Sequence, residues 1–199
     1  EKMRGRRTIG LACWVLTLFV GMHVLAPVVA QQIPERQGFF DIRSASTLLN
    51  DGVHKLEARL QLILSDAALE ALNSGVPLRI ELNFEAIRVR GFWVDAQDAE
   101  LSFTYELEYR PLSQRYIVRS LNSGDQDSFA TLYAALNNLG RIQGLPVIDD
   151  AVLENDARYR LRLRARLSTR QYPASLRLLF FWRSQWHLES DWYEWTLAR

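Results

Sequence analysis

At 199 residues, with 48% hydrophobic and 24% charged positions, the chain is long enough to bury a proper core and too apolar to be a disordered segment. Its formal net charge is +1, but Lys2, Arg4, Arg6 and Arg7 stand in the first thirty residues against Glu1 alone, so the remainder is close to neutral and offers no electrostatic footprint for nucleic acid. The one cysteine, Cys13, lies in the apolar N-terminal stretch, which leaves residues 31–199 without a thiol for a disulfide, a zinc site or nucleophilic catalysis.

The chain opens with Arg4, Arg6 and Arg7, an uncharged run over residues 8–30, and then Val28-Val29-Ala30-Gln31. That is the order of a basic n-region, an apolar h-region and a small-residue cleavage pattern, with Pro27 ending the hydrophobic helix just before it. Residues 1–30 are therefore a signal peptide cleaved before Gln31, or an uncleaved membrane anchor, since the run approaches the ~20 residues needed to span a bilayer. Either reading puts residues 31–199 in the periplasm as a single β-rich domain, free or anchored to the inner membrane, with membrane contact confined to residues 8–30 if they are retained. Cys13 has too few apolar residues before it to be a lipoprotein site, and Arg6-Arg7 is read as positive charge alone.

Residues 39–49 and 53–64 flank Asn50-Asp51-Gly52, a sequence that favours the positive backbone angles of a hairpin turn. In the second arm Leu56, Ala58, Leu60, Leu62 and Leu64 alternate with polar residues, as in a half-buried strand. Ser65 or Asp66 caps a short helix over residues 67–72, closed by Gly75 and Pro77. From Leu78 the period is two again, with Leu78, Ile80, Leu82, Phe84 and Ala86 on one face, and at Ile87 the phase changes, as a bulge or a change of sheet would produce, with Gly91 supplying the local freedom. Leu101, Phe103, Tyr105, Leu107 and Tyr109 form the next stripe, and Pro111 with Ser113 turns the chain into a strand over residues 114–121.

Residues 122–127 break the pattern, and residues 128–139 read as a helix with Asp127 or Ser128 as its cap. Residues 143–150 read as a loop around Leu145-Pro146. Tyr159, Leu161, Leu163, Ala165 and Leu167 make another inward face, Tyr172-Pro173 interrupts, and strands over residues 176–182 and 186–197 end the chain. The whole is mostly β: an antiparallel β-sandwich or a strongly bent sheet with two short helices at an edge.

Two features stand out as candidate binding sites. Arg158, Arg160, Arg162, Arg164 and Arg166 repeat at every second position, which puts five guanidinium groups on one face of one strand. They form an anion or lipid-headgroup strip, or they pair with Glu81, Glu85, Glu106 and Glu108 on neighbouring strands, and ordinary cross-strand pairing is the better account in a domain that is not basic overall. The C-terminal run with Trp186, Trp192, Tyr193 and Trp195 is dense in aromatics that either contact a partner or bury their area in the core, with Trp192 and Tyr193 on opposite faces.

Asp125 and Asp127 lack the full ligand series of a calcium loop. His54 and His187 are the only histidines after Ala30, and neither stands in a zinc-protease pattern. There is no G-x-S-x-G elbow and no phosphate-cradling glycine loop, so neither catalytic residues, a metal nor a cofactor is expected.

The run Leu64-Ser65-Asp66-Ala67-Ala68-Leu69-Glu70-Ala71-Leu72-Asn73-Ser74-Gly75-Val76-Pro77-Leu78, then residues 109–116 (Tyr109-Arg110-Pro111 onward), Ala135-Leu136-Asn137-Asn138-Leu139, and finally Trp186, Leu188, Ser190, Asp191, Trp192 and Trp195, resembles a proteobacterial domain-of-unknown-function family, number 4390. The resemblance covers nearly all of the chain after the signal. It implies an exported, non-catalytic binding or accessory module, often encoded beside a two-component sensor kinase, with an envelope or inner-membrane protein as partner. A lipid or small anionic ligand on the arginine strand is the alternative.

Overall fold

The computed structural model describes residues 35–90, 95–154, 156–169 and 184–197. The signal or anchor segment, Gly91, the Tyr172-Pro173 break and the strand expected over residues 176–182 lie outside the described residues. Nine strands form two antiparallel sheets among them: β1 (Phe39–Asn50), β2 (Val53–Ile63), β3 (Leu78–Val89), β4 (Ala96–Arg110), β5 (Arg115–Ser120), β6 (Gln126–Phe129), β7 (Arg141–Asp149), β8 (Arg158–Ser168) and β9 (Tyr193–Thr196). One sheet has the order β1-β2-β7, the other β6-β5-β4-β3-β8-β9. Two short helices, α1 (Asp66–Asn73) and α2 (Leu132–Leu139), complete a mostly β, sandwich-like fold.

The hairpin turns where the sequence asks it to, with Asp51 at φ 53° and Gly52 at φ 76° between β1 and β2. Ser65 caps α1: its hydroxyl accepts from the Ala68 N–H at 3.2 Å and donates to the Gln185 carbonyl at 2.7 Å, which ties the helix start to the C-terminal segment. Across the large sheet the inward stripes are in register, Leu82 opposite Ala165, Phe84 opposite Leu163 and Ala86 opposite Leu161. Phe40, Ile42, Leu56, Ala58 and Leu62 of the small sheet join the same core. Fully burying one such leucine or phenylalanine stabilises by about 1.5–3 kcal/mol, so this shared cluster is the main source of stability in a chain region without disulfides.

A bulge does lie at Ile87, but its extra residue belongs to β4, and β3 itself keeps its phase, with Ile87 on the outward face opposite Arg160. Ala86 faces Ala99 and Ile87 faces Gln97, so Asp98 is left over, while the β3–β8 ladder runs on unbroken. The released Asp98 carboxylate accepts from the Tyr159 hydroxyl at 2.9 Å and pairs with Arg88 at 3.0 Å.

Three expectations are corrected. Residues 126–129 are a strand, not the end of a break and the first residues of a helix at 128, because Arg115 on β5 donates to both the Ser128 hydroxyl and its carbonyl at 2.8 Å and Arg119 donates to Gln126. The helix starts at Leu132, and its cap is Thr131 rather than Asp127 or Ser128, with the Thr131 hydroxyl accepting from the Ala134 N–H at 3.2 Å. Residues 141–149 are a strand and not a loop: β7 is an edge of its sheet, where a proline is tolerated, and Gly144 at φ 63° absorbs the irregularity. The third correction concerns residues 186–197, where the regular strand is shorter than expected. Ser190 replaces a ladder rung, accepting from the Ala165 N–H with its hydroxyl at 3.0 Å and donating its own N–H to the Ala165 carbonyl at 2.9 Å, and β9 begins only at Tyr193.

Candidate functional site

The outward face of the large sheet carries the arginine row, and its register dictates what each guanidinium meets. Arg162 lies opposite Glu85 and Arg166 opposite Glu81 on β3. Arg162 donates to Glu85 from Nε at 2.8 Å and from Nη2 at 2.5 Å, and Arg166 reaches Glu81 at 2.8 and 2.6 Å. Arg164 pairs with Glu189 at 2.5 Å, and Arg160 with Asp95 at 3.1 Å. Arg158 is exposed at the start of β8, opposite Val89. Four of the five predicted arginines are thus held by carboxylates, and this face is a charge-paired lattice that reads as sheet chemistry rather than as an anion strip.

The predicted aromatics do not form one patch. Trp192 is half-buried on the outer face, where the guanidinium carbons of Arg162 and Arg164 each lie 4.3 Å from its ring centroid. Tyr193 points the other way, opposite Leu163 and 6.2 Å from the Trp195 ring, and packs on the core. Trp186 is buried in a 3-10 turn (Ser184–Trp186) packed against α1. His54 is buried on β2 and bonds Asp150 through Nε2 at 2.8 Å, so it anchors the 3-10 turn (Asp150–Val152) that follows β7. Among the described residues no group of three or more His, Cys, Asp or Glu side chains is placed to hold a metal ion.

Two surface features remain outside this account, and periodicity alone did not signal either as a site. At the turn end of the small sheet, the Asp150 N–H donates to the Gly52 carbonyl at 2.9 Å, which brings the 3-10 turn beside the hairpin turn. Leu48, Leu49 and Val152 are 61%, 54% and 65% exposed there. The second is a cleft of about 450 Å³ between the inner face of β4 and β5, the following turn, and α2 with β7. Phe103, Tyr105, Val118, Leu145 and Pro146 supply its apolar walls, and Asp125, Asp127 and Asn138 are among its polar groups. Burial there raises the Tyr105 phenol above its ordinary pKa. The alternation marks Phe103 and Tyr105 as inward, but the cleft exists only because residues 126–129 and 141–149 are strands, which periodicity does not show.

No curated protein and no solved structure matches the chain. Residues 39–196, which span all nine strands and both helices, match one family model, and the chain belongs to that family, the domain of unknown function DUF4390.

Proposed function

We propose that the chain is a non-catalytic binding or accessory module of the bacterial envelope that recognises an inner-membrane protein, with a two-component sensor kinase as the expected partner. The observation that supports a recognition role is the exposed trio of Leu48, Leu49 and Val152 at one end of the small sheet. A single exposed leucine is ordinary, whereas here Leu48 and Leu49, turned to opposite faces of β1, and Val152, just after the other edge strand β7, expose apolar side chains at the same end of the small sheet, as protein contact surfaces do. The turn is not loose: His54 and Gly52 tie it to β2 and to the hairpin, so the apolar groups are presented on a braced scaffold. The basic, apolar and small-residue order of the first thirty residues supports placing this domain in the periplasm. A lipid or anion reading of β8 draws less support, because four of its five guanidinium groups are already engaged, by Glu81, Glu85, Asp95 and Glu189.

Photo-crosslinking in intact cells tests this reading. A photoreactive residue at position 49 is expected to give an adduct with an inner-membrane protein, and the same residue at Leu112, exposed in the β4–β5 turn, is not. No adduct from position 49, or the same adducts from both positions, would overturn it.

A further inference from the structure

The inner face of the large sheet follows an apolar rule along β3 and β8 and abandons it at the β5–β6 wing. Opposed residues of an antiparallel ladder share a face, so Phe103, Tyr105 and Val118 place their partners Ser120 and Asp127 on that inner face with them. Asp127, opposite Val118 on the edge strand β6, is an exposed acid on the same face as the inward apolar stripe. Its wing extends beyond the narrower sheet, and α2 packs across it, touching β5, β6, β2 and β7. The cleft lies beneath that bridge, at a volume within the roughly 300–1,000 Å³ common to small-molecule sites.

The polar groups of the cleft fall into two sets. Asn122 is spent on the backbone, accepting from the Thr104 N–H at 2.7 Å and donating to the Ser102 carbonyl at 3.1 Å. The Ser120 and Ser123 hydroxyls accept from the N–H groups of Ser123 and Asp125 at 3.3 Å and shape the turn. The carboxylates of Asp125 and Asp127, by contrast, have no ion-pair partner among the described residues, and no Arg, Lys or His lines the cleft. Elsewhere in the sheet the acids at the register are matched to arginines, as Glu81 and Glu85 are. Two carboxylates beside aromatic and proline walls repel an anion and attract a cation with an apolar body. Aromatic rings add to the preference, since their faces also attract a positive head.

We infer that the cleft formed by β4, β5, β6, α2 and β7 is a binding site for a small organic amine, its ammonium group held by Asp125 and Asp127 and its apolar body set against Phe103, Tyr105, Val118 and Pro146. This inference stands on the cleft alone and is independent of the Leu48–Leu49–Val152 surface.

The full-length protein, labelled with nitrogen-15, is titrated with butylamine, phenethylamine and tryptamine, and with indole-3-propionate and tryptophol, which keep the indole body of tryptamine but replace its ammonium by a carboxylate or a hydroxyl. At least one amine is expected to shift the backbone amides of residues 120–127 saturably. Where that amine is tryptamine, it binds about tenfold or more tighter than tryptophol, and indole-3-propionate produces no saturable shift. The double variant Asp125→Asn, Asp127→Asn is expected to weaken the amine about tenfold and to spare the fold, both side chains being exposed. Failure of all three amines overturns the site, as does equal binding of the three indoles. Saturable binding of Nα-acetyl-lysine amide, with none of the free amines, would overturn the small-molecule assignment and turn the cleft into a site for a basic side chain. Comparison of probes on the unmodified protein keeps the proposal testable should the double variant misfold.

Discussion

Arg162 and Glu85 meet in the middle of the outer face, with Glu85 nearly inaccessible and the guanidinium doubly bonded to one carboxylate oxygen. Removing one member of such a pair strands the other in a partly buried place, whereas removing both does not. Glu85→Ala is therefore expected to destabilise by about 2–3 kcal/mol, and Glu85→Ala with Arg162→Met by less, with a coupling energy of roughly 1–2 kcal/mol in a double-mutant cycle read from urea midpoints. Additive effects would show that the two charges do not stabilise each other despite their proximity. Trp192 adds to the same lattice by covering Arg162 and Arg164 at 4.3 Å, and its replacement by alanine costs about 1 kcal/mol through lost cation–π contact. Ser65 is the comparable residue in the core, since one hydroxyl both caps α1 and reaches Gln185. Ser65→Ala is expected to cost about 1–3 kcal/mol in the same assay, more than a cap alone contributes.

At the scale of elements, α2 is placed by a close approach of backbone to backbone. The Leu60 N–H donates to the Gly140 carbonyl at 2.7 Å, and a Cβ at Gly140 would stand 2.4 Å from the Leu60 carbonyl oxygen. Gly140→Ala must push α2 away from β2, at a cost of roughly 1–3 kcal/mol in urea unfolding, and it should alter amide shifts along the cleft that α2 covers. The sequence made the hairpin at Asn50-Asp51-Gly52, α1 with its Ser65 cap and the inward faces of β3, β4 and β8 legible, because each rests on local turn chemistry or on strict alternation. It did not disclose β6, where Gln126 and Asp127 read as part of a break and Phe129 stands at helical spacing from Leu132 and Leu136, while Arg115 and Arg119 of the neighbouring strand hold the segment extended. Nor did it disclose β7, where Leu145-Pro146 reads as a loop until the edge position that tolerates the proline is known. The arginine row is readable as a row, and Glu81 and Glu85 as its partners, but the expected Glu106 and Glu108 pair with Arg79 and Arg110 instead, and Arg160 and Arg164 meet Asp95 and Glu189. Which acid meets which arginine depends on strand order and register, and neither is encoded in periodicity.

Tyr105 connects that wing to solution behaviour. In the unfolded chain its phenol ionises near the ordinary value of about 10, and burial on the inner face of β4 holds the proton to higher pH in the fold. Above about pH 10 the folded state therefore binds more protons than the unfolded state, and stability falls as pH rises; below that range both states are protonated and the group contributes nothing. Denaturation of wild type and Tyr105→Phe across about pH 9 to 11.5 should show a steeper alkaline loss in wild type. Parallel profiles would mean that the phenol ionises as freely in the cleft as in water.

At the scale of the whole molecule, the question is whether two sheets make one cooperative unit. Phe40, Ile42, Leu56 and Leu62 of the small sheet belong to the same buried cluster as Leu82, Phe84, Leu161 and Leu163 of the large one. The Trp195 indole N–H also lies 3.4 Å from the Thr47 hydroxyl, joining β9 to β1, and its ring sits 6.2 Å from Phe84. Neither sheet can open without exposing the inner face of the other, so unfolding is expected in a single step. The distribution of tryptophans makes this measurable: in the described region Trp186, Trp192 and Trp195 all lie with the large sheet or its C-terminal approach, and β1, β2 and β7 have none. In a variant with Trp14, Trp93 and Trp182 replaced by phenylalanine, tryptophan fluorescence therefore follows the large sheet, while far-ultraviolet circular dichroism follows both. The two curves should coincide in urea, and Phe84→Ala should move both midpoints together by an amount equivalent to about 3–5 kcal/mol. If fluorescence were lost first while part of the strand signal persisted, the small sheet would hold a core of its own, and the proposed contact surface at Leu48, Leu49 and Val152 would sit on an independently stable hairpin unit rather than on an extension of the whole fold.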